Sequence, residues 1–497
     1  MLNYAHTWAE PDLYILADED LIETSRNAVR RLCPIEKHSE PVIAPDRPWE
    51  GLMPDGEVIS LQDPFYATVL FDPLDGIFRC WYRALNRYLS RSYSRGFANQ
   101  ASQLCHAVSS DGVHWEKPVI GQVLYDGSYE NNMVRLIDES SSAPDNYAES
   151  MGSIIPYSAP DSEDRFAASI HTEFDDPVYP KGITVCFSPD GLRWRMHYPP
   201  VLPLDGDCNS LSRDPENRCY LLTSRSSQHA NLCRRWGHGW KRHIALGRSL
   251  DLIHWTPLAT VLEADDKDPD DTELYKMYVI PYGHAYLGQL LVFYTHEMVL
   301  ENQLALSRDL INWQRVGDRQ PILARGSEGS WDCRHVTLSD NPPHPQGDKM
   351  RFWYGGKSAP HYQAGYGALG TGAMRRDGFA CYEAGEKEAV LTTIPFRVKG
   401  ATSIAINVDA ADGEVRAEVV DKAGNPIEGC TRKDCIPVHG DHIRTVVSFK
   451  AGPGRFFDRG NFLRFADEVR FRFYLTNARL YAFKSPHLTP LWPGEDK

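Results

Sequence analysis

One short phrase, Ser-x-Asp-(Gly/Leu)-x-x-Trp, occurs four times in the chain. The copies are Ser109-Asp111-Gly112-Trp115, Ser188-Asp190-Gly191-Trp194, Ser249-Asp251-Leu252-Trp255 and Ser307-Asp309-Leu310-Trp313. A unit recurring every ~60–80 residues is one supersecondary element used several times, as in a propeller or a solenoid. Each copy has the same reading. An apolar strand runs into the phrase, as in Gly182–Phe187 and His243–Gly247. The Asp then makes a tight turn by bonding the backbone two residues on. The Trp opens the next strand and fills the wedge between neighbouring sheets. A residue type present in every unit is expected to be structural in every unit.

A second repeat precedes each phrase: an apolar strand, a Pro/Gly/Asp turn and another apolar strand. The copies are Phe65–Tyr82, Gly152–Ile170, Ser210–Thr223, Tyr278–Tyr294 and Thr337–Tyr354. They read as β-hairpins. Five hairpins match four full phrases and one decayed copy at Arg375–Phe379, where Asp377-Gly378 survives without the Trp. The expectation is therefore an all-β chain with a five-bladed β-propeller over residues 45–384.

With 497 residues the chain is too long for one compact core,. Residues 1–44 form an N-terminal extension. A short helix is predicted at Asp18–Arg31 because an acidic start and basic end suit the helix dipole. Residues 385–497 alternate in the strand period, with Val415, Ala417 and Val419 against Arg416 and Glu418, and Phe471, Phe473 and Leu475 against Arg472 and Tyr474. Turns at Ala411-Asp412-Gly413 and Lys422-Ala423-Gly424-Asn425 are expected to join short strands. This part reads as a C-terminal β-sandwich capping the propeller.

A net charge of −14 without a long basic run argues against nucleic acid or an anionic membrane as partner,. No apolar stretch approaches the ~20 residues of a membrane helix. Met1–Pro11 shows no signal-peptide pattern, so a cytoplasmic location is expected. The 11 Cys lack close pairing apart from Cys430 and Cys435, and are expected to be reduced and buried,. No zinc-ligand spacing occurs, so no metal site and no required cofactor are expected. A structural Ca2+ in the funnel and a homo-oligomer are both compatible with the sequence.

The five blades, the repeated phrase and the C-terminal sandwich resemble the five-bladed propeller glycoside hydrolases, among them families 32, 43, 62, 68, 117 and 130. The layout is also similar to bacterial family-32-like glycosidases. The resemblance implies a carbohydrate substrate and a site at one mouth of the axial funnel, formed by acidic residues where the inner strands begin. Glycoside hydrolysis needs two carboxyl groups across the scissile bond, one an acid and the other a nucleophile or base.

The candidates at inner-strand starts are Asp207 in Asp205-Gly206-Asp207, Glu273 after the acidic run Asp265–Asp271, Asp332 after Trp331, and Asp63 in Gln62-Asp63-Pro64. Asp63 resembles the Asp-Pro that opens the first blade of family 43. Trp49, Glu50, Asn131, Trp331, Arg334 and His335 are the substrate-binding candidates. Arg213-Asp214-Pro215 copies the Arg-Asp-Pro motif of family 32, yet it falls in a hairpin turn aligned with Asp72-Pro73, so its Asp is expected far from the axis. The Asn-Asp-Pro-Asn-Gly and Glu-Cys motifs of family 32 are absent. A glycosidase acting on a small oligosaccharide or glycoside is the first expectation. A phosphate-dependent phosphorylase, with a phosphate site built of Arg, His or Lys, and a non-catalytic sugar-binding propeller are the alternatives.

Overall fold

The computed structural model describes residues 10–52, 67–85, 102–135, 147–160, 162–173, 176–179, 181–204, 206–229, 240–361, 363, 365–400, 403–450 and 467–492. Among them are β-strands and a few short 3-10 turns, with no helix long and apolar enough to cross a membrane. The strands form a β-propeller and a second, strongly curled sheet.

Each expected hairpin is present in antiparallel register. Thr68–Asp72 pairs Ile77–Leu85, Tyr147–Pro156 pairs Phe166–Glu173, and Asn209–Asp214 pairs Cys219–His229. Thr272–Tyr282 pairs Ala285–Tyr294, and His335–Leu338 pairs Lys349–Lys357. The first three hairpins each grow into a separate four-stranded sheet by adding the strand that leads into the phrase and a short outer strand. The last two lie in one ten-stranded sheet, whose halves meet, among the described residues, through a parallel pairing of Leu300 with His335. Glu36–Lys37 pairs with Gly372–Ala373, so a piece of the N-terminal segment supplies the outer strand of the last unit.

Apolar side chains fill the space between successive sheets. Trp81, Phe166 and Trp194 lie between the first and second, and Ile155, Leu211 and Leu252 between the second and third. Leu221, Leu290 and Leu310 follow, then Tyr278, Leu304 and Phe352. Val69, Phe78 and Trp353 bring the last sheet against the first. These clusters form a ring of sheets around an axis, which no single apolar face could bury alone.

The phrase is a double side-chain-to-backbone turn. Ser109 Oγ accepts from the Gly112 amide at 2.9 Å, and Asp111 Oδ1 accepts from the amides of Val113 and His114 at 2.8 Å. The other three copies repeat this pattern. The fourth position is left-handed in all four, with φ between 68° at Leu310 and 78° at Gly191. Of the tryptophans, Trp194 and Trp313 are buried, whereas Trp115 and Trp255 are half-buried.

The predicted helix at Asp18–Arg31 is not formed. Only Glu19–Leu21 makes a 3-10 turn, capped by Asp18, and Ile22–Arg26 and Val29–Leu32 are strands. Asn27 sits between them at φ 60°, a turn conformation,. The segment carries too few apolar residues for a helical stripe, and two sheet edges are open to it: Ile22–Arg26 pairs with Val390–Thr393, and Val29–Leu32 with Ala380–Glu383. Backbone groups at those edges gain partners that a lone surface helix would not provide.

These two strands belong to an eleven-stranded sheet with Ala389–Thr393, Ala405–Asp421, Glu468–Thr476 and Ala478–Lys484. Its inner face buries Phe396, Val408, Phe471, Phe473 and Phe483. The turn expected at Ala411-Asp412-Gly413 is instead an irregularity within one long strand, Ala405–Asp421, whose two halves pair with different neighbours. The turn at Lys422–Asn425 is present, with Gly424 at φ 84°. No disulfide joins the described cysteines, and all of them except half-buried Cys33 are buried.

Candidate active site

The first strand of each hairpin lies innermost, where Tyr147–Pro156, Asn209–Asp214 and Thr272–Tyr282 neighbour one another. The strands beginning at Asn209 and Thr272 lie side by side, and their leading residues point to one end of the ring. There Cys208 packs in one cluster with Tyr275, Leu291 and Phe293. Two of the candidate acids stand at this end. Asp207 is about a third exposed and pairs with Arg225 at 2.8 Å. Glu273, the second residue of its strand, is buried and pairs with Arg242.

Both arginines come from the third sheet. Arg225 is on Cys219–His229 and Arg242 on Trp240–Ser249, where Ser227 is opposite Arg242 and Ile244 is opposite Arg225. The strand period of two places both on the face turned toward the fourth sheet. Burial disfavours the charge on Arg242, but the neighbouring Tyr275 phenol oxygen and the Glu273 carboxylate outweigh it and raise its pKa. The guanidinium lies 5.0 Å from the centre of the Tyr275 ring,.

Uncharged imidazoles lie beside this pair. Tyr275 Oη and His361 Nε2 are 3.1 Å apart. Burial, then Lys357 and Arg242, push the His361 pKa down to about 3. His335 opens the inner strand of the last unit, opposite Lys357, with Nε2 3.3 Å from the Met298 carbonyl. Burial and the charge of Lys357 hold its pKa well below the ordinary histidine value. The mouth therefore combines two carboxylates, two arginines, a lysine, a phenol and two neutral imidazoles.

Below the mouth the axis is polar. Asp340 is buried, and its Oδ2 accepts from Lys276 Nζ at 2.7 Å, Ser153 Oγ at 2.8 Å and Ser210 Oγ at 3.0 Å. Burial raises its pKa against the pull of Lys276 and the two hydroxyls.

The other sequence candidates are used differently. Asp332 is 3 % exposed; it accepts from Lys37 Nζ at 2.6 Å, Ser330 Oγ at 2.9 Å and Tyr354 Oη at 3.2 Å. Trp331 stacks on Tyr354 at 5.6 Å, on the side of the last unit facing the fourth sheet. Glu50 is also buried. It accepts from Tyr82 Oη at 2.5 Å, Lys117 Nζ at 2.8 Å and the amides of Asp46 and Arg47. Desolvation nevertheless raises its pKa. Trp49 donates to Asn132 Oδ1 at 2.8 Å, and Asn132 donates to Tyr82 Oη at 2.9 Å, which closes a network around Glu50. Asn131 donates to the Val123 carbonyl at 2.7 Å, and Arg334 pairs with Glu328 at 2.8 Å. Asp63 lies outside the described residues.

Asp214 stands at the other end of its strand from Asp207, as its turn position implied, and accepts from Tyr286 Oη at 2.7 Å. Arg242, Lys276, Asp340, Lys357 and His361 were not singled out from the sequence. Lys276, a charge inside the otherwise apolar run Leu274–Ile280, was the one available signal.

No protein-family model matches the chain, and no curated protein is similar to it. Solved structures of similar shape exist. An N-acetylgalactosamine deacetylase from F. plautii, in complex with blood group B trisaccharide, is 16 % identical with a TM-score of 0.42 over 69 % of this chain and 95 % of that one. A glycosyl hydrolase from Bacteroides ovatus is 14 % identical with a TM-score of 0.43 over 68 % and 93 %. A third structure is described by the family-130 mannoside phosphorylases, which contain glycoside hydrolases that target β-1,2 mannosidic linkages in Candida mannan. It is 15 % identical with a TM-score of 0.43 over 69 % and 94 %.

Proposed function

We propose that the protein is a glycosidase that cleaves a small oligosaccharide or glycoside at the propeller mouth, with Asp207 and Glu273 as the working carboxylates. One observation carries the reading. These two acids head adjacent inner strands at the same end of the axis, and each is held by an arginine from one sheet face. Two carboxyl groups across a bond are what glycoside hydrolysis requires. The partly exposed Asp207 is the group in reach of solvent and substrate, and Glu273 is the more enclosed. Tyr275 and the neutral His361 add a hydrogen-bonding wall without further charge. Asp332 is left out of the pair because its partners, Lys37, Ser330 and Tyr354, already occupy both of its oxygens. The ring of inter-sheet clusters supports five blades.

A second reading has its own support. Arg225, Arg242 and Lys357 share the mouth with the acids. Orthophosphate rather than water is then the acceptor, bound by charge-assisted hydrogen bonds.

The test is a panel of p-nitrophenyl glycosides and disaccharides incubated with and without orthophosphate, followed by analysis of the products. Free sugar independent of phosphate identifies the hydrolase, and a sugar phosphate identifies the phosphorylase. Asp207→Asn and Glu273→Gln should each reduce kcat by at least ~100-fold, because an amide neither transfers the proton nor acts as nucleophile. Full activity in either variant removes that residue from the pair.

A further inference from the structure

We propose that Asp340 is a positioning residue, whose carboxylate ties together the strands carrying Asp207 and Glu273 and thereby sets the separation of those two carboxyl groups. The inference rests on the reading of Asp207 and Glu273 as the working pair.

The geometry is specific. One oxygen, Asp340 Oδ2, receives three donors from three inner strands. Ser210 follows Asp207 by three residues, and Lys276 follows Glu273 by three residues. The two candidate acids are thus each one short step of backbone from a common atom. Ser153 brings in the strand of the second sheet, and its Oγ also accepts from the Leu211 amide at 2.8 Å. The Asp340 amide donates to the Ala67 carbonyl at 2.9 Å, and the neighbouring Asn341 accepts from the Val69 amide at 3.1 Å. With Asp340 itself just beyond His335–Leu338, every sheet of the ring is attached to this point.

A buried ion pair is a poor way to gain stability, since desolvation of both charges offsets their attraction. What it supplies is direction and distance. Apolar side chains between sheets tolerate sliding, whereas hydrogen bonds converging on one oxygen do not. Carboxyl separation matters at the scale concerned. Retaining and inverting glycosidases differ by only about 1–4 Å in that distance, and a displacement of about 1 Å can cost 10²-fold in rate.

The experiment compares Ser210→Ala with Thr68→Val. Both remove a buried hydroxyl that links inner strands: Ser210 donates to Asp340, while Thr68 Oγ1 accepts from the Ile154 amide at 3.2 Å. Only Ser210 lies on a strand carrying one of the pair. Both variants should lower the melting temperature to a similar degree. Ser210→Ala should also lower kcat by about tenfold with KM little changed, and Thr68→Val should not. The p-nitrophenyl glycoside that the wild type turns over fastest is the probe. Crystal structures of the wild type, Ser210→Ala and Asp340→Asn should show a changed separation between the Asp207 and Glu273 carboxyl carbons in both variants. An unchanged separation, or equal kcat for Ser210→Ala and Thr68→Val, overturns the proposal. A changed separation in a protein that processes no glycoside leaves the positioning role standing and removes the glycosidase reading instead.

Discussion

The indole of Trp353 donates to the carbonyl of Gly112 at 2.8 Å. Trp81 does the same to Gly191 at 2.7 Å. In each case a tryptophan of one sheet enters the wedge beside the phrase of the next. A Cβ on Gly112 would stand 2.7 Å from the Trp353 ring, and one on Gly191 only 2.5 Å from the Trp81 ring. The two remaining copies carry Leu252 and Leu310 at the same left-handed position, and there the leucine fills the wedge between sheets. The Gly/Leu alternation thus records which sheet supplies the filling.

That relationship predicts an asymmetry. Gly191→Leu combines a positive-φ side chain with a collision against a buried indole. It should destabilise the fold by ~3 kcal/mol or more. Leu252→Gly removes a side chain but relieves the backbone, so its cost should be nearer ~2 kcal/mol. Urea unfolding of the two variants gives the comparison. An equal tolerance of both would show that the wedge is soft.

The phrase tryptophans should differ among themselves. Trp194→Ala empties a fully buried site and should cost ~3–5 kcal/mol,. Trp255→Ala removes a half-buried ring and should cost clearly less,. Neither should alter KM in the protein that remains folded. Normal melting combined with lost sugar binding would make these residues binding platforms rather than wedges.

Asp207 and Asp214 lie on one segment and offer a matched pair. Asp214 bonds Tyr286 and Asn217 at the far end of the inner strand. Asp214→Asn should therefore lower the melting temperature and leave kcat within about twofold of the wild type. Asp207→Asn should do the reverse. Thermal melts beside steady-state kinetics separate the two, and an inactive Asp214→Asn with an active Asp207→Asn would place the site at the opposite mouth.

Stability should fall in mild acid. His106 and His361 are buried, and burial pushes both pKa values down to about 3. Between about pH 6.5, the ordinary histidine value, and pH 3, the unfolded chain therefore binds more protons than the folded one. The contribution of both residues is complete above that window and is lost as pH falls through it. Melting temperature measured across this range should drop toward the acid side, less steeply for His361→Gln than for the wild type. A flat profile would mean that these imidazoles take up protons equally in the folded and the unfolded chain.

The repeated phrase and the hairpins were legible in the sequence because their causes are local. A Ser hydroxyl reaching an amide three residues on, an Asp reaching two and three residues on, and strands alternating about a turn all lie within a few residues,. The position of Asp207 and Glu273 at inner-strand starts was legible for the same reason, since a hairpin's turn indicates where its first strand begins. The fate of Asp18–Arg31 was not, because the strands it joins begin at Ala380 and Ala389, more than three hundred residues away. Nor could local pattern separate Glu50 and Asp332 from the mouth acids. All four are carboxylates beside turn residues in the sequence, and only the packed fold shows two of them enclosed, Glu50 by Lys117 and Tyr82 and Asp332 by Lys37 and Tyr354. The meeting of Asp340, Lys276, Ser210 and Ser153 likewise exists only when the ring closes, as hydrogen bonds among residues far apart in sequence depend on tertiary proximity,. Sequence by itself determined the repeating unit and its turns, because those bonds close within a few residues. Tertiary structure decided which partners each acid meets, arginines for Asp207 and Glu273 and lysines with tyrosines for Glu50 and Asp332, because burial and partner choice are properties of the assembled sheets.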